Sequence, residues 1–124
     1  MIHRGNIEFT IVSRSSERVA SEMPIHDGIR NPFGVVQAGA IVWFADVTAS
    51  ILVMGDADPR PGMQGFPLAI TLNANFLSNQ REGRFQAVAS FVKQGRTLSV
   101  VRTVVRGEAD KVIADITTSH ILSK

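Results

Sequence analysis

A chain of 124 residues with 13 basic and 11 acidic side chains, a formal charge of +2 and no cysteine excludes several kinds of protein at once. Its length suits one core of ordinary size, so residues 1–124 are expected to form a single domain that needs no covalent staple. Without cysteine there are neither disulfides nor thiolate metal sites, and the basic residues are scattered without aromatic interleaving, so nucleic acid is not an expected partner.

The N-terminal Met1-Ile2-His3-Arg4-Gly5 has no apolar core of signal-peptide length. A cytoplasmic protein with no membrane association is therefore expected. From Ile7 the chain alternates with period two, Ile7, Phe9 and Ile11 against Glu8 and Thr10. A polar Ser13-Arg14-Ser15-Ser16 turn follows, and then Val19, Ser21 and Met23. Residues 38 to 54 break the pattern. They form one apolar run with no breaker after Gly39, too long for an ordinary strand and about 25 Å long as a helix. The run is short of the ~20 residues that span a bilayer. It is apolar nearly all round, which predicts a helix buried on most sides, with Gly55 placed as its C-cap. The segment Gly55 to Gly62, with Asp56, Asp58, Pro59 and Pro61, reads as a long loop whose aspartates belong to turns. Four further strands are predicted at Leu68–Leu77, Arg84–Lys93, Leu98–Arg106 and Val112–Leu122. They are punctuated by Gly83, Gly95-Arg96 and Gly107 to Asp110. Phe85, Ala87, Ala89 and Phe91 share one strand face. The fold class is α+β, an antiparallel sheet of about six strands curled around one long helix, with a meander in the C-terminal half.

Asp46 lies in the middle of the apolar helix. Burying an ionised carboxylate without a partner costs several kcal/mol, and Asp is a poor helix former. It is paired with an arginine on the sheet, or faces water through an accident of packing, or lines a functional cleft. Ser50 is four residues on and shares its face. Trp43, Phe44, Phe66 and Phe76 are expected in the core. His3, His26 and His120 are isolated in sequence, no His/Asp/Glu set has metal-ligand spacing, and no metal or cofactor is expected. Lys93, Arg96, Arg102 and Arg106 read as solvated charges at strand edges.

The stretch Asn31-Pro32-Phe33-Gly34-Val35-Val36-Gln37-Ala38-Gly39, followed by the helix with Asp46, resembles the signature of hotdog-fold acyl-CoA thioesterases of the phenylacetyl-CoA and 4-hydroxybenzoyl-CoA type. That signature runs Asn-Pro-x-Gly-x-x-His-Gly-Gly, with an acidic residue nine positions after the His. Gln37 stands at the His position and Asp46 nine further on. Thr71 to Leu77, Glu82-Gly83 and Gln94-Gly95-Arg96-Thr97-Leu98 are similar to the strands that follow in that family, so the resemblance covers about residues 7 to 122.

The resemblance implies a hotdog fold and hydrolysis of an acyl-CoA thioester without a cofactor. It makes Asp46 the general base or nucleophile and the Ala38 backbone N–H the group that polarises the carbonyl. Asn31 orients water or carbonyl, Gln37 takes the place of the positional His, and Ser50 and Gly39 sit on the substrate side. Trp43 walls the acyl pocket, and Arg96 lies near the phosphates of CoA. Ala38 and Asp46 are about 12 Å apart along one helix, too far to touch one thioester carbon, so either one of them is not catalytic or Asp46 reaches the site from the antiparallel helix of a second subunit. The family resolves this with a homodimer whose sites are shared, Asn31 and Ala38 of one chain facing Asp46 and Ser50 of the other, and such dimers can pair into tetramers. The departure is Gln37-Ala38-Gly39 where the family has His-Gly-Gly. Ala keeps its N–H provided no positive φ is required, and Gln keeps hydrogen bonding without an imidazole. That change leaves open a non-catalytic hotdog dimer that binds acyl-CoA or serves as structure. A hotdog dehydratase shares the fold but pairs a His with an acid, and no His lies near Asp46 in sequence.

Overall fold

The long apolar run does become the one α-helix, α1 (Ala38–Met54), in the computed structural model, which describes Ile2 and residues 4–123. His3 lies outside the described residues. Six strands accompany α1: β1 (Thr10–Arg14), β2 (Arg18–Pro24), β3 (Pro67–Phe76), β4 (Arg84–Gln94), β5 (Ser99–Arg106) and β6 (Val112–Leu122). All neighbours are antiparallel in one sheet of order β1-β2-β4-β5-β6-β3, a hotdog fold. No helix of the described residues is long and apolar enough to cross a membrane.

The C-terminal half is not the simple meander expected. β4, β5 and β6 do follow one another, but β3 lies beyond β6 at the edge of the sheet, and β4 pairs with β2 on its other side. The helix occupies the chain between β2 and β3, so the strand after it lands on the far side of the sheet. Near the N-terminus the ladder begins at Thr10, later than the alternation suggests. Ile7 and Phe9 still pack against the core, outside the ladder.

The helix is held at both ends by backbone chemistry. Gly55 takes φ 69° and returns its N–H to the Leu52 carbonyl, a conformation glycine adopts without strain. The Arg14 guanidinium donates to the Gly55 carbonyl and, at 2.7 Å, to that of Ala57. It thus sets a cation at the negative end of the helix dipole. Ala45 and Ala49 on the helix are buried, as are Ala87, Ala89 and Ala114 on the sheet. Small side chains on both surfaces let the helix lie close, while Phe44, Ile41 and Leu52 fill the remaining volume.

Burial is one-sided, contrary to the expectation of a helix enclosed on most sides. Ala40, Ile41, Phe44, Ala45, Thr48, Ala49, Ile51 and Leu52 are buried, whereas Val42, Trp43, Asp46, Val47, Ser50, Val53 and Met54 are only half-buried. The second face is as apolar as the first apart from Asp46 and Ser50. Phe66 and Phe76 are likewise not core residues. Both are exposed, along with Leu68, Ile70 and Leu72, on or beside the edge strand β3.

Arg102 is more than a solvated charge. It grips Asp115 of β6 through two hydrogen bonds of 3.0 and 2.6 Å on the outer face of the sheet, and these hold the Asp115 carboxyl below its usual range. The turn between β5 and β6 carries local strain, because Ala109 sits at φ 55° and Asp110 at φ 59°. An L-residue there costs roughly 1–2 kcal/mol, partly offset by the flexibility a glycine brings to the unfolded chain. Ala109→Gly is expected to stabilise the fold by about 0.5 kcal/mol, read as a higher urea midpoint at unchanged slope.

Candidate active site

The segment before the helix is built by Asn31. Its Oδ1 accepts from the N–H groups of Phe33 (2.9 Å) and Val35 (3.3 Å), and its own N–H donates to the Val35 carbonyl at 2.8 Å. This is an Asx turn, and Pro32 stiffens it. The side-chain oxygen is therefore committed to the loop, and the Asn31 Nδ2 amide is the end left to meet a ligand. Arg30 anchors the loop through the Arg81 carbonyl (3.0 and 2.8 Å) and Asp27, Asn79 Nδ2 donates to the Val36 carbonyl at 3.0 Å, and the Gln37 N–H donates to Ile29 at 2.8 Å.

Gln37 is the N-cap, with φ −66° and ψ 142°, and its side chain makes no capping hydrogen bond. Ala38 and Gly39 follow as the first helical residues, both exposed. Their N–H groups belong to the first turn, where no intrahelical acceptor exists, and they carry the positive end of the helix dipole. Ala38 is not among the residues with positive φ, so alanine at this point of the motif brings no backbone strain. Asn31, Pro32, Gln37, Gly39 and Ala40, with Arg4 and Arg30, line an open cleft of about 900 Å³.

Asp46 does not line that cleft. It lies more than two turns along α1, with Ser50 one turn further on the same face. Its Oδ1 is buried and has no hydrogen-bond partner among the described residues, and none of their arginines forms an ion pair with it. Burial pushes the carboxyl above its usual value, an effect that the imidazole of His120 partly opposes. Of the three explanations for this carboxylate, the arginine pair is thus removed.

His120 is the residue that sequence reasoning passed over. It is 1 % exposed on β6, its Nε2 is 2.7 Å from Thr118 Oγ1, and its Nδ1 has no partner. Desolvation pulls its basicity down and the charge of Asp46 pushes it up. The two are far apart in sequence but lie on elements that pack together, α1 and β6, near enough for the charge of each to act on the other. A signal was present: Ala114, Ile116, Thr118 and His120 alternate along β6, and the phase that buries Ile116 buries His120 too. His26 has a structural task, its Nδ1 accepting the Gly28 N–H at 3.0 Å.

The remaining candidates lie apart. Trp43 is half-buried and meets the ring of Phe9 edge-on, with centroids 5.0 Å apart. Arg96 is exposed in the β4–β5 hairpin and, with Val53, Phe91 and His120, lines a second cavity of about 80 Å³. Gly95 is required in that hairpin, since a Cβ there would sit 2.2 Å from the Leu98 carbonyl oxygen. One chain therefore gathers Asn31, Gln37 and Gly39 at the helix start, and keeps Asp46, Ser50 and Arg96 away from them.

Comparison with known proteins agrees with this architecture. Residues 33–114 match the family profile described as the Thioesterase superfamily. The Bacillus subtilis protein ComA2, whose name gives it as a candidate esterase, is 30% identical over 103 residues, spanning 83% of this chain and 79% of its own. The 1,4-dihydroxy-2-naphthoyl-CoA hydrolase of Listeria monocytogenes is 24% identical over 107 residues, or 86% and 84% of the two chains. The structure of smu.793 from Streptococcus mutans, bound to acetyl-CoA, shares the fold with a TM-score of 0.82 at 19% identity, covering 94% of this chain and 89% of that one. With well over half of its residues inside the profile, the chain belongs to the Thioesterase superfamily and is a hotdog-fold thioester hydrolase.

Proposed function

We propose that this protein hydrolyses acyl-CoA thioesters in the cytoplasm without a cofactor, residues 1–124 acting as one domain of a homodimer with two shared sites. The observation that carries the reading is the unpaired, buried oxygen of Asp46 on the same helix as the free N–H groups of its first turn. Separated by about 12 Å on one helix, these groups meet only if a second, antiparallel helix lies alongside. The apolar outer face of α1 and the apolar free edge of β3 are the surfaces such a partner would cover. Dimers of this kind can pair again into tetramers.

In this reading the Ala38 N–H of one chain polarises the thioester carbonyl, and the dipole of α1 stabilises the oxyanion as it forms. Asp46 of the other chain takes a proton from water as the water oxygen attacks the carbonyl carbon, or attacks that carbon itself. The C–S bond then breaks, releasing CoA thiol and the carboxylic acid. Asn31 Nδ2 and Gln37 orient water and carbonyl, Ser50 contacts the substrate, and Gly39 and Trp43 bound the acyl pocket. A small or medium acyl group is favoured. An aromatic one, as in phenylacetyl-CoA or 4-hydroxybenzoyl-CoA, is supported by the Listeria relative named for an aromatic acyl-CoA.

Arg96 is assigned to the phosphates of CoA, which suit a guanidinium fork. Arg96→Ala is expected to raise KM about three- to tenfold at unchanged kcat, and an unchanged KM would remove it from the site. The reading as a whole is tested by thiol release from a panel of aromatic and aliphatic acyl-CoAs. Turnover establishes it and the best substrate names the pocket. Acyl-CoA that raises the melting temperature without releasing thiol makes the protein a binder, disabled at Gln37.

A further inference from the structure

Four buried side-chain atoms have no hydrogen-bond partner among the described residues, His26 Nε2, Asp46 Oδ1, Thr103 Oγ1 and His120 Nδ1, and the second and fourth sit on elements that pack together, α1 and β6. Val53, two turns beyond Asp46 on the same helix stripe, lines one small cavity together with His120. Val53 is about 10 Å along the helix from Asp46, so the cavity places the ring beneath the C-terminal half of α1. Its other nitrogen is held by Thr118 at 2.7 Å.

We propose that His120 is a positioning residue for Asp46: Thr118 donates its hydroxyl hydrogen to Nε2, which fixes the Nδ1–H tautomer and turns that N–H toward the carboxylate. An ionised carboxylate only accepts hydrogen bonds, so the nitrogen that faces it has to be the donor. Thr118 can complete the line, because a hydroxyl rotates to donate or accept as its neighbour requires. A neutral imidazole aimed in this way stabilises the carboxylate by its N–H dipole and leaves its negative charge intact, whereas an arginine would form a salt bridge and blunt it as a base. Such an N–H would favour the ionised form of a half-buried carboxylate that has no arginine beside it among the described residues. The electrostatic coupling between the two groups runs in the required direction, His120 lowering the carboxyl and Asp46 raising the imidazole. The other elements packed on the ring add few charges. β5 meets it at Ser99 and β3 at Ala69, and only Arg96 of the β4–β5 hairpin brings a further charge to the shared cavity.

The inference rests on the hydrolase reading for its consequence and on histidine spectra for its geometry, so the two can fail separately. In ¹⁵N-edited spectra of the wild-type protein, the His120 ring should show the Nδ1–H tautomer, and its titration should move to lower pH in Asp46→Asn. In activity, His120→Phe should shift the acidic limb of the kcat/KM profile to higher pH, with kcat about three- to tenfold lower on that limb and KM unchanged. His120→Asn, which keeps an N–H donor near the Nδ1 position, should return the limb toward wild type. An Nε2–H tautomer, a titration indifferent to Asp46→Asn, or a His120→Phe profile that overlays the wild type would each overturn the proposal. A wild-type protein without turnover would sink the hydrolase reading, while the spectra still decide the geometry.

Discussion

Asp46→Asn is expected to lower kcat/KM for the preferred acyl-CoA by roughly 10²–10⁴-fold and, at neutral pH, to raise the melting temperature. The substitution keeps volume and shape and removes only the ability to take a proton or attack a carbonyl. Burial raises the Asp46 carboxyl, with His120 opposing, so activity should climb with pH through an inflection above the ordinary carboxylate range. The same shift fixes the sign of the stability effect. A group whose folded pKa lies above its unfolded value of 3.8 contributes stability that is complete below that value and is lost as pH rises through the folded pKa. Above the folded pKa the wild type carries a charged, half-buried carboxylate as a cost that asparagine removes, so the gain in melting temperature should grow as pH rises through that pKa. His120 has the opposite sign. Its depressed pKa contributes stability above its unfolded value of 6.5, which is lost as pH falls through the folded pKa. Rate profiles and thermal melts across pH check both statements. A variant that keeps its activity would remove Asp46 from the chemistry, and one that melts lower at neutral pH would contradict the cost of its burial.

Ala38→Pro isolates a single hydrogen. Proline suits the first position of a helix, where its missing N–H has no intrahelical acceptor. Gln37, at φ −66° and ψ 142°, already has the extended backbone that a residue before proline prefers. The variant should fold with a near-normal melting temperature and lose about 10²–10³-fold in kcat, the usual consequence of deleting one oxyanion donor. Unchanged kcat would move the oxyanion donor elsewhere. The two variants together test the shared site. Each is nearly inactive alone, but a mixed dimer holds one intact pair, Ala38 from the Asp46→Asn chain and Asp46 from the Ala38→Pro chain. Random reassembly of equal amounts should restore about a quarter of wild-type activity, since half the dimers are mixed and each has one working site. No recovery despite exchange of subunits would mean that both groups act within one chain, which the length of α1 forbids.

Local pattern carried most of the fold. α1 matches its sequence span because an uninterrupted apolar run ends in a glycine that the backbone uses at positive φ, and β6 is recognisable because buried and less buried positions alternate from Ala114 to His120. What escaped was non-local. Nothing in residues 67–76 states that β3 pairs with β6 and not β4, and without that placement Phe66 and Phe76 read as core. The one-sided burial of α1 was hidden for a related reason, since an apolar outer face signals a covering surface without saying which chain supplies it. At the site, Asn31 and Asp46 were visible through the spacing of one motif. The burial of His120 on the strand that packs against α1 was not, because which strand lies under the helix is decided by the sheet and not by proximity along the chain.

The two margins of the sheet differ in kind. β3 is ten residues long, with Leu68, Ile70, Leu72 and Phe76 exposed and its outer backbone unpaired. β1, at the opposite margin, has only five residues, is broken by a register shift between Ile11 and Ser13, and ends in Arg14 tied down at the helix terminus. β3 has a register shift of its own, between Ala69 and Thr71, so the margins are separated by length, apolar exposure and charge: long, apolar edges template further strands, while short, charged ones resist them. A sheet with one adhesive margin and one blunt margin can grow in a single direction only. If the proposed homodimer pairs through β3, it uses up that direction in both chains at once, and the contact that would complete a catalytic site would also guard against open-ended strand addition.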